Sequence, residues 1–188
     1  MKFWYDYTMS LFLLGQLVGV VAVLFSLAVY QVNTRRTMLA LAAVAAMLYA
    51  VSFYLIGART GAILNFIGGI RCITFMRSKS AKNSIGIFSV FAALSILGTW
   101  LTWSGPLSLL ALFGTLFSAT SSAQLSTKLM RRVGLLAPPL WFSYNFIAKS
   151  YPGMFIEIFV IMSNLLGQYR FDSKHPPDTQ PADQTPTV

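Results

Sequence analysis

The chain predicts an all-α polytopic membrane protein of seven transmembrane helices, built as two parallel three-helix repeats joined by one linker helix (3+1+3). Three observations carry this. First, 56% of the 188 residues are hydrophobic and only 10% charged, with a mean hydropathy of +0.65. Soluble domains carry about 25% charged residues, so this chain has too few to cover a water-facing surface. Second, the apolar residues gather into seven spans that consume almost the whole chain. Third, Gly61 and Gly153 mark two stretches that read as copies of one another at a constant offset (153 − 61 = 92). At that offset Leu48 falls on Leu140, Tyr49 on Trp141, Ile63 on Phe155 and Asn65 on Glu157. The odd number of spans between the copies lets both triplets enter the bilayer in the same direction, an arrangement found in transporters.

The first span runs from Ser10 to Tyr30. It is longer than a signal core, Lys2 is offset by Asp6, and no cleavage site follows, so it is expected to be retained. Thr37 to Ile56 and Gly61 to Met76 complete the first repeat, and the short turn between them makes those helices antiparallel neighbours. Arg77, Lys79 and Lys82 form a basic loop before the linker span, Gly86 to Trp103. The second repeat comprises Pro106 to Leu125, Val133 to Lys149 and Pro152 to Tyr169. Pro106 and Pro152 open their spans, where a missing amide hydrogen costs little. Pro138 and Pro139 fall inside the sixth span and predict a kink, either a hinge or a static bend. From Asp172 the composition turns to Pro, Asp, Gln and Thr, which predicts a disordered tail. The expected divisions are therefore residues 1–76 (first repeat), 77–105 (basic loop and linker helix), 106–171 (second repeat) and 172–188 (disordered cytoplasmic tail).

The net charge of +9 is distributed by side. Lys2, Arg59 and Lys149 share the side of the amino terminus. Arg35, Arg36, Arg71, Arg77, Lys79, Lys82, Lys128, Arg131, Arg132, Arg170 and Lys174 lie toward the other. This asymmetry places the amino terminus in the periplasm and the carboxyl terminus in the cytoplasm by the positive-inside rule. Contact with anionic headgroups accounts for the excess charge without a nucleic-acid partner. Trp4, Tyr5, Tyr7, Trp100 and Trp103 fall where an outer interfacial belt is expected. Cys72 is the single cysteine and His175 the single histidine, so no internal disulfide and no imidazole site within the membrane is expected. Phosphate-binding loops and hydrolase or metal motifs are absent, so neither enzyme activity nor a cofactor or metal is expected.

Glu157 is the leading candidate for a binding role. It lies within the seventh span, where an ionised carboxylate costs on the order of 2.5–3.5 kcal/mol unless it faces protein or water. Asn164 is two turns further on the same helical face, and the counterpart Asn65 is also polar. Arg71 lies well inside the third span, either reaching toward Glu157 or snorkelling to headgroups. Trp141, Tyr144 and Asn145 share one face through their i, i+3, i+4 spacing, and Tyr49 is the counterpart of Trp141. A pocket for a small polar solute with an apolar side fits this set, as does aromatic packing. Thr115, Ser118 and Ser122 form a stripe that either lines a cavity or lets helices pack closely. Gly15 and Gly19 make a GxxxG pair, a weak signal for a homo-oligomer.

The run Met130, Arg131, Trp141, Asn145, Phe146, Ser150, Gly153, Glu157, Asn164 and Arg170, with Gly57 and Arg71, resembles the YgjV-like family of bacterial inner-membrane proteins. The resemblance covers nearly everything but the tail and implies a multi-pass inner-membrane protein in contact with the lipid bilayer. The three-plus-one-plus-three pattern is also similar to SWEET and PQ-loop transporters. There, paired asparagines on the third and seventh helices contact substrate, which implies an analogous role for Asn65 and Glu157. The chain lacks that group's Pro-Gln pair and symmetric prolines. Together these readings lead to a small-solute transporter with a central site between the repeats. The alternative is a non-transporting membrane receptor or assembly scaffold with its ligand pocket in the same place.

Overall fold

Eight α-helices account for nearly all of the chain that the computed structural model describes. That portion is residues 2–172, with the backbone alone for residues 2–8 and 81. The side chains of Trp4, Tyr5 and Tyr7 and the tail beyond Asp172 lie outside the described residues. The helices are α1 (Lys2–Val29), α2 (Arg35–Leu55), α3 (Arg59–Phe75), α4 (Ala81–Leu101), α5 (Leu107–Ala123), α6 (Thr127–Gly134), α7 (Pro138–Ile147) and α8 (Tyr151–Gly167). A π-helical turn, Gln168–Asp172, extends α8. Three stretches are long and apolar enough to cross a membrane: Met9–Val29, Arg35–Leu55 and Lys82–Leu101; Leu107–Ala123 is a shorter apolar helix.

The helices close into a ring. α1 packs on α2, α2 on α3, α3 on α5, α5 on α6 and α7, α7 on α8, and α8 back on α1, while α4 lies outside against α3 and α5. The ring's outer face is apolar: Leu17, Leu24, Tyr54, Trp100 and Phe146 are all largely exposed. Its interior holds Arg71, Arg131, Asn145 and Asn164, each buried. Polar inside and apolar outside is the pattern expected when the surrounding solvent is hydrocarbon.

The expected sixth span differs from the sequence reading. It begins earlier, at Thr127, and is two helices, because Pro138 and Pro139 occupy the first turn of α7. Lacking amide hydrogens, they start a helix readily but cannot continue α6. Helix boundaries nevertheless keep the offset. α2 begins at Arg35 and ends at Leu55, while α6 begins at Thr127 and α7 ends at Ile147. α3 and α8 are both 17 residues long, and begin at Arg59 and Tyr151.

The turns leaving α2 and α7 are also alike. Ala58 N–H bonds the Phe53 carbonyl at 2.8 Å and Ser150 N–H bonds the Asn145 carbonyl at 3.0 Å. This six-to-one closure requires a left-handed residue just before its donor. Gly57 (φ 82°) fills that position in the first turn, but Lys149 (φ 56°) fills it in the second. The lysine bears the steric penalty that glycine avoids.

Two guanidinium groups fasten one end of the ring. Arg35, at the start of α2, donates to four carbonyls: Phe75 (2.8 Å) and Ser78 (3.2 Å) past α3, and Ser122 (3.2 Å) and Gln124 (2.8 Å) at the end of α5. Arg131, on α6, pairs with Asp172 at 2.7 Å and donates to Val32 O and Asn33 Oδ1, both at 3.0 Å. Each arginine therefore satisfies chain ends at one seam, α3/α5 or α1/α8. These two residues are folded into the protein rather than presented to headgroups. Asp172 closes the π-helical turn that extends α8.

Gly15 and Gly19 pack within the chain. A Cβ at Gly15 would meet Ile56 at 2.8 Å, and one at Gly19 would meet Ser52 Oγ at 3.0 Å. Ser52 Oγ also donates to Gly15 O at 2.8 Å. The GxxxG pair thus brings α1 close to α2 and is occupied there rather than free for a second copy.

Two outcomes are expected from thermal melts of the purified protein. Lys149→Gly should raise stability by about 1 kcal/mol and Gly57→Ala should lower it by a similar amount. Space around the Gly57 Cβ position is open, so backbone strain alone is at stake there. Arg131→Met, which strands Asp172, should cost about 3–5 kcal/mol. Unchanged melting of Arg131→Met would show that the ion pair contributes nothing to the closed ring.

Candidate functional site

The ring encloses a cavity of about 200 Å³. It lies between two apolar clusters. At the arginine end Val29, Met38, Leu39, Cys72, Phe75 and Met130 pack together, and at the other end Phe53, Leu64, Ala111 and Tyr144 do. Every ring helix contributes to the cavity wall, including Ser26 of α1 with Tyr30 just past its end, Thr115 and Ser118 of α5, Met130 of α6 and Glu157 of α8.

Six of the seven candidate residues line this one cavity: Tyr49, Asn65, Arg71, Trp141, Asn145 and Glu157. Asn164 does not. It is fully buried beyond the cavity, where Nδ2 donates to Arg131 O at 2.8 Å and Oδ1 accepts from Gln168 at 3.3 Å. Two helical turns put it on the same stripe as Glu157 but carry it out of reach. It helps hold Arg131 instead.

Local packing fixes the wall. Close approach of α7 to the starts of α3 and α8 depends on Gly61 and Gly153. The Gly61 N–H donates to Tyr144 Oη at 2.8 Å, and a Cβ on Gly153 would meet Asn145 Oδ1 at 2.6 Å. Trp141 stacks on Phe53 with ring centroids 6.2 Å apart and meets Tyr144 edge-on at 5.6 Å. Its indole lies against Gly114, where a Cβ would come within 2.9 Å. The tryptophan is therefore a rigid apolar face of the cavity.

The polar groups divide into satisfied and unsatisfied sets. Asn65 Nδ2 donates to Gly61 O at 2.9 Å, within its own helix. Along α5, Ser118 and Ser122 donate to the carbonyls four residues back, both at 2.9 Å, a common way to seat hydroxyls in a helix. In contrast, the Tyr49 hydroxyl, Arg71 Nε, Thr115 Oγ1 and Asn145 Oδ1 are buried without a hydrogen-bond partner. All four residues line the cavity. Arg71 uses Nη1 to donate to Thr115 O at 3.2 Å, and its guanidinium remains inside instead of snorkelling. Glu157 is half-buried on the cavity wall and has no hydrogen bond or ion pair to a described residue. It lies near enough to the Tyr30 and Tyr49 hydroxyls to act on them electrostatically. The pair expected between Arg71 and Glu157 is not formed: among the described residues the ion pair is Arg131–Asp172.

Buried polar groups are ordinarily paired, and each orphan costs about 1–3 kcal/mol. Four orphans and the unpaired Glu157 carboxyl surround one cavity, where only water or another polar group could satisfy them. Sequence reasoning passed over Tyr30, Ser26 and Arg131. The tyrosine ends the first span, where an interfacial role is the default. Arg131 stood among basic turn residues, although it was also one of the positions carrying the family resemblance. No group of His, Cys, Asp or Glu among the described residues is arranged to hold a metal ion.

No curated protein and no solved structure matches the chain. A family model for Imp-YgjV, described as a bacterial inner membrane protein, matches residues 13–175. This span takes in the ring from residue 13 of α1 onward, the cavity and both arginine clusters, and the chain is thus an integral, multi-pass member of the Imp-YgjV family of bacterial inner membrane proteins.

Proposed function

We propose that this protein carries a small polar solute across the inner membrane, with the cavity between its two halves as the binding site. The observation that carries this is the convergence of unpartnered polar groups on one enclosed space in a membrane protein. Ionisable and polar residues are retained inside membranes mainly where they serve a pathway or a site.

The two halves are α1–α3 and α5–α8, with α4 as linker, and seven spans read as parallel three-helix repeats. Three features support that reading. The offset of the sequence repeats recurs in the bounds of α2, α3 and their counterparts. The seams are reciprocal, since α3 meets α5 while α8 meets α1. An arginine from the second helical segment of each half fastens one seam. Site placement at the junction of repeats is the expected pattern for such carriers. The protein binds and releases its solute without covalent chemistry. On this reading the arginine end is cytoplasmic and closed, and opening it requires Arg35 and Arg131 to release their partners.

Flux measurements test the proposal. Proteoliposomes loaded with a mixture of small polar metabolites should show uptake or efflux of at least one of them. Glu157→Gln should reduce that flux at least about tenfold, equivalent to about 1.4 kcal/mol, while the melting temperature stays near wild type. Folded wild-type protein that binds a solute but moves none would replace the carrier with a receptor.

Topology is tested separately. In a Cys72→Ala background, an impermeant thiol reagent added from the periplasmic side should label Ser104→Cys and miss Ser80→Cys. Both serines are exposed at helix ends, so labelling reports the side on which each lies. Labelling of Ser80→Cys alone would invert the orientation.

A further inference from the structure

Two ionisable side chains, one acidic and one basic, share the cavity without meeting. Arg71 and Glu157 are the only Asp, Glu, Lys or Arg residues among those lining it, and they form no ion pair with each other. By the repeat offset, Glu157 stands level with Asn65, and Arg71 follows Asn65 by six residues on α3. That rise is about 9 Å along the helix axis. Neither charge is fully satisfied. Arg71 has one hydrogen bond, to Thr115 O at 3.2 Å, and its Nε has no partner. Glu157 has no hydrogen-bond partner among the described residues.

Unpartnered neutral groups lie beside each of the two. Next to Glu157, one turn back on α8, Gly153 lets Asn145 Oδ1 approach, and this buried oxygen is an acceptor without a donor. Next to Arg71 is the Thr115 hydroxyl, also unpartnered and able to donate. One end of the cavity therefore offers the Glu157 carboxyl with the Asn145 acceptor and the Tyr49 hydroxyl, the other the Arg71 guanidinium with the Thr115 hydroxyl. A neutral polyol would leave both charges facing only dipoles. A lone anion would satisfy Arg71 and be opposed by Glu157, and a lone cation would meet the converse. A solute bearing both charges, several bonds apart, complements both ends at once. Its aliphatic middle would lie along Trp141.

We propose that the cavity binds a small zwitterion, with the ammonium group at Glu157 and Asn145 and the carboxylate at Arg71 and Thr115. This rests on the cavity being a solute site, and it specifies the chemical class of that solute.

Ligand-dependent melting of the purified full-length protein tests it, using glycine, β-alanine, γ-aminobutyrate and glycine betaine as zwitterions. Acetate, methylammonium and glycerol serve as the single-charge and neutral controls. At least one zwitterion at saturating concentration should raise the melting temperature by several degrees, while the controls leave it unchanged. Glu157→Gln should lose at least about tenfold in affinity for that zwitterion and gain a response to acetate. Arg71→Gln should instead gain a response to methylammonium. Should Arg71→Gln fail to fold, Arg71→Lys keeps the charge and should retain zwitterion binding, so the Glu157→Gln arm still decides.

Stabilisation by glycerol, or by acetate or methylammonium alone, would overturn the zwitterion assignment while leaving a polar solute site in place. Failure of every probe would overturn it as well. A zwitterion that binds but does not cross proteoliposome membranes would uphold this assignment and remove the carrier reading, so the two proposals fail by different measurements.

Discussion

Arg35 and Arg131 hold the ends of helices that would otherwise diverge, and the rest of the bundle depends on that restraint. Helices end with carbonyls that have no partner within the helix, and those packed inside the bundle need partners from the chain. Arg35 gathers four such carbonyls from the ends of α3 and α5. Arg131 gathers the end of α1 together with the Asp172 carboxylate beyond α8. A guanidinium suits this task because its five donors are fixed in a plane and it stays charged. With both seams fastened, the six-membered ring closes around a void instead of collapsing through it. The cavity is thus a product of the way the helix ends are satisfied.

The void is kept by shape as well as by charge. Trp141 braced on Gly114, and Tyr144 bonded to the Gly61 amide, are stiff groups with little rotamer freedom once packed. They prevent α7 from moving inward to cover Glu157. The apolar clusters above and below are continuous with the cavity wall, sharing Met38, Leu39 and Cys72 on one side and Phe53 and Leu64 on the other. Polar groups left unpaired within such a frame stay unpaired until a ligand or water arrives, because the neighbours that could bond them are held elsewhere.

Much of this was legible in the sequence because hydrocarbon imposes simple rules. Apolar runs located the helices, and the offset between Gly61 and Gly153 drew attention to Asn65 and Glu157, both of which face the cavity. Arg71 and Asn145 stood out as polar residues where none should be. Asn164 was grouped with them because helical spacing reports the face of a helix and not the depth at which the cavity ends. The burial of Arg131 was hidden for a different reason. Its partner Asp172 is 41 residues away, at the start of what reads as a disordered tail, and counting charges by turn cannot distinguish an arginine facing lipid from one facing a carboxylate. The break between α6 and α7 was visible as two prolines, but its extent depended on Thr127 starting a helix well before the apolar run.

That break has a consequence for the resting state of the molecule. α2 is one continuous rod, whereas its counterpart is two rods joined at residues 135–137. In a molecule built from two equivalent halves, exchanging their conformations yields a second state of nearly equal energy. Here the halves bend differently, so in a carrier of the proposed kind the exchange would not return an equivalent arrangement and the two states would differ in free energy. A gap of about 1.4 kcal/mol already gives a tenfold excess of one over the other. On the carrier reading, the unliganded protein would therefore rest mainly on one side of its cycle, and the affinity measured there would include the work of leaving it. Directionality of this kind comes from the backbone itself, from two consecutive prolines in one half and Ala46 and Met47 at the same place in the other.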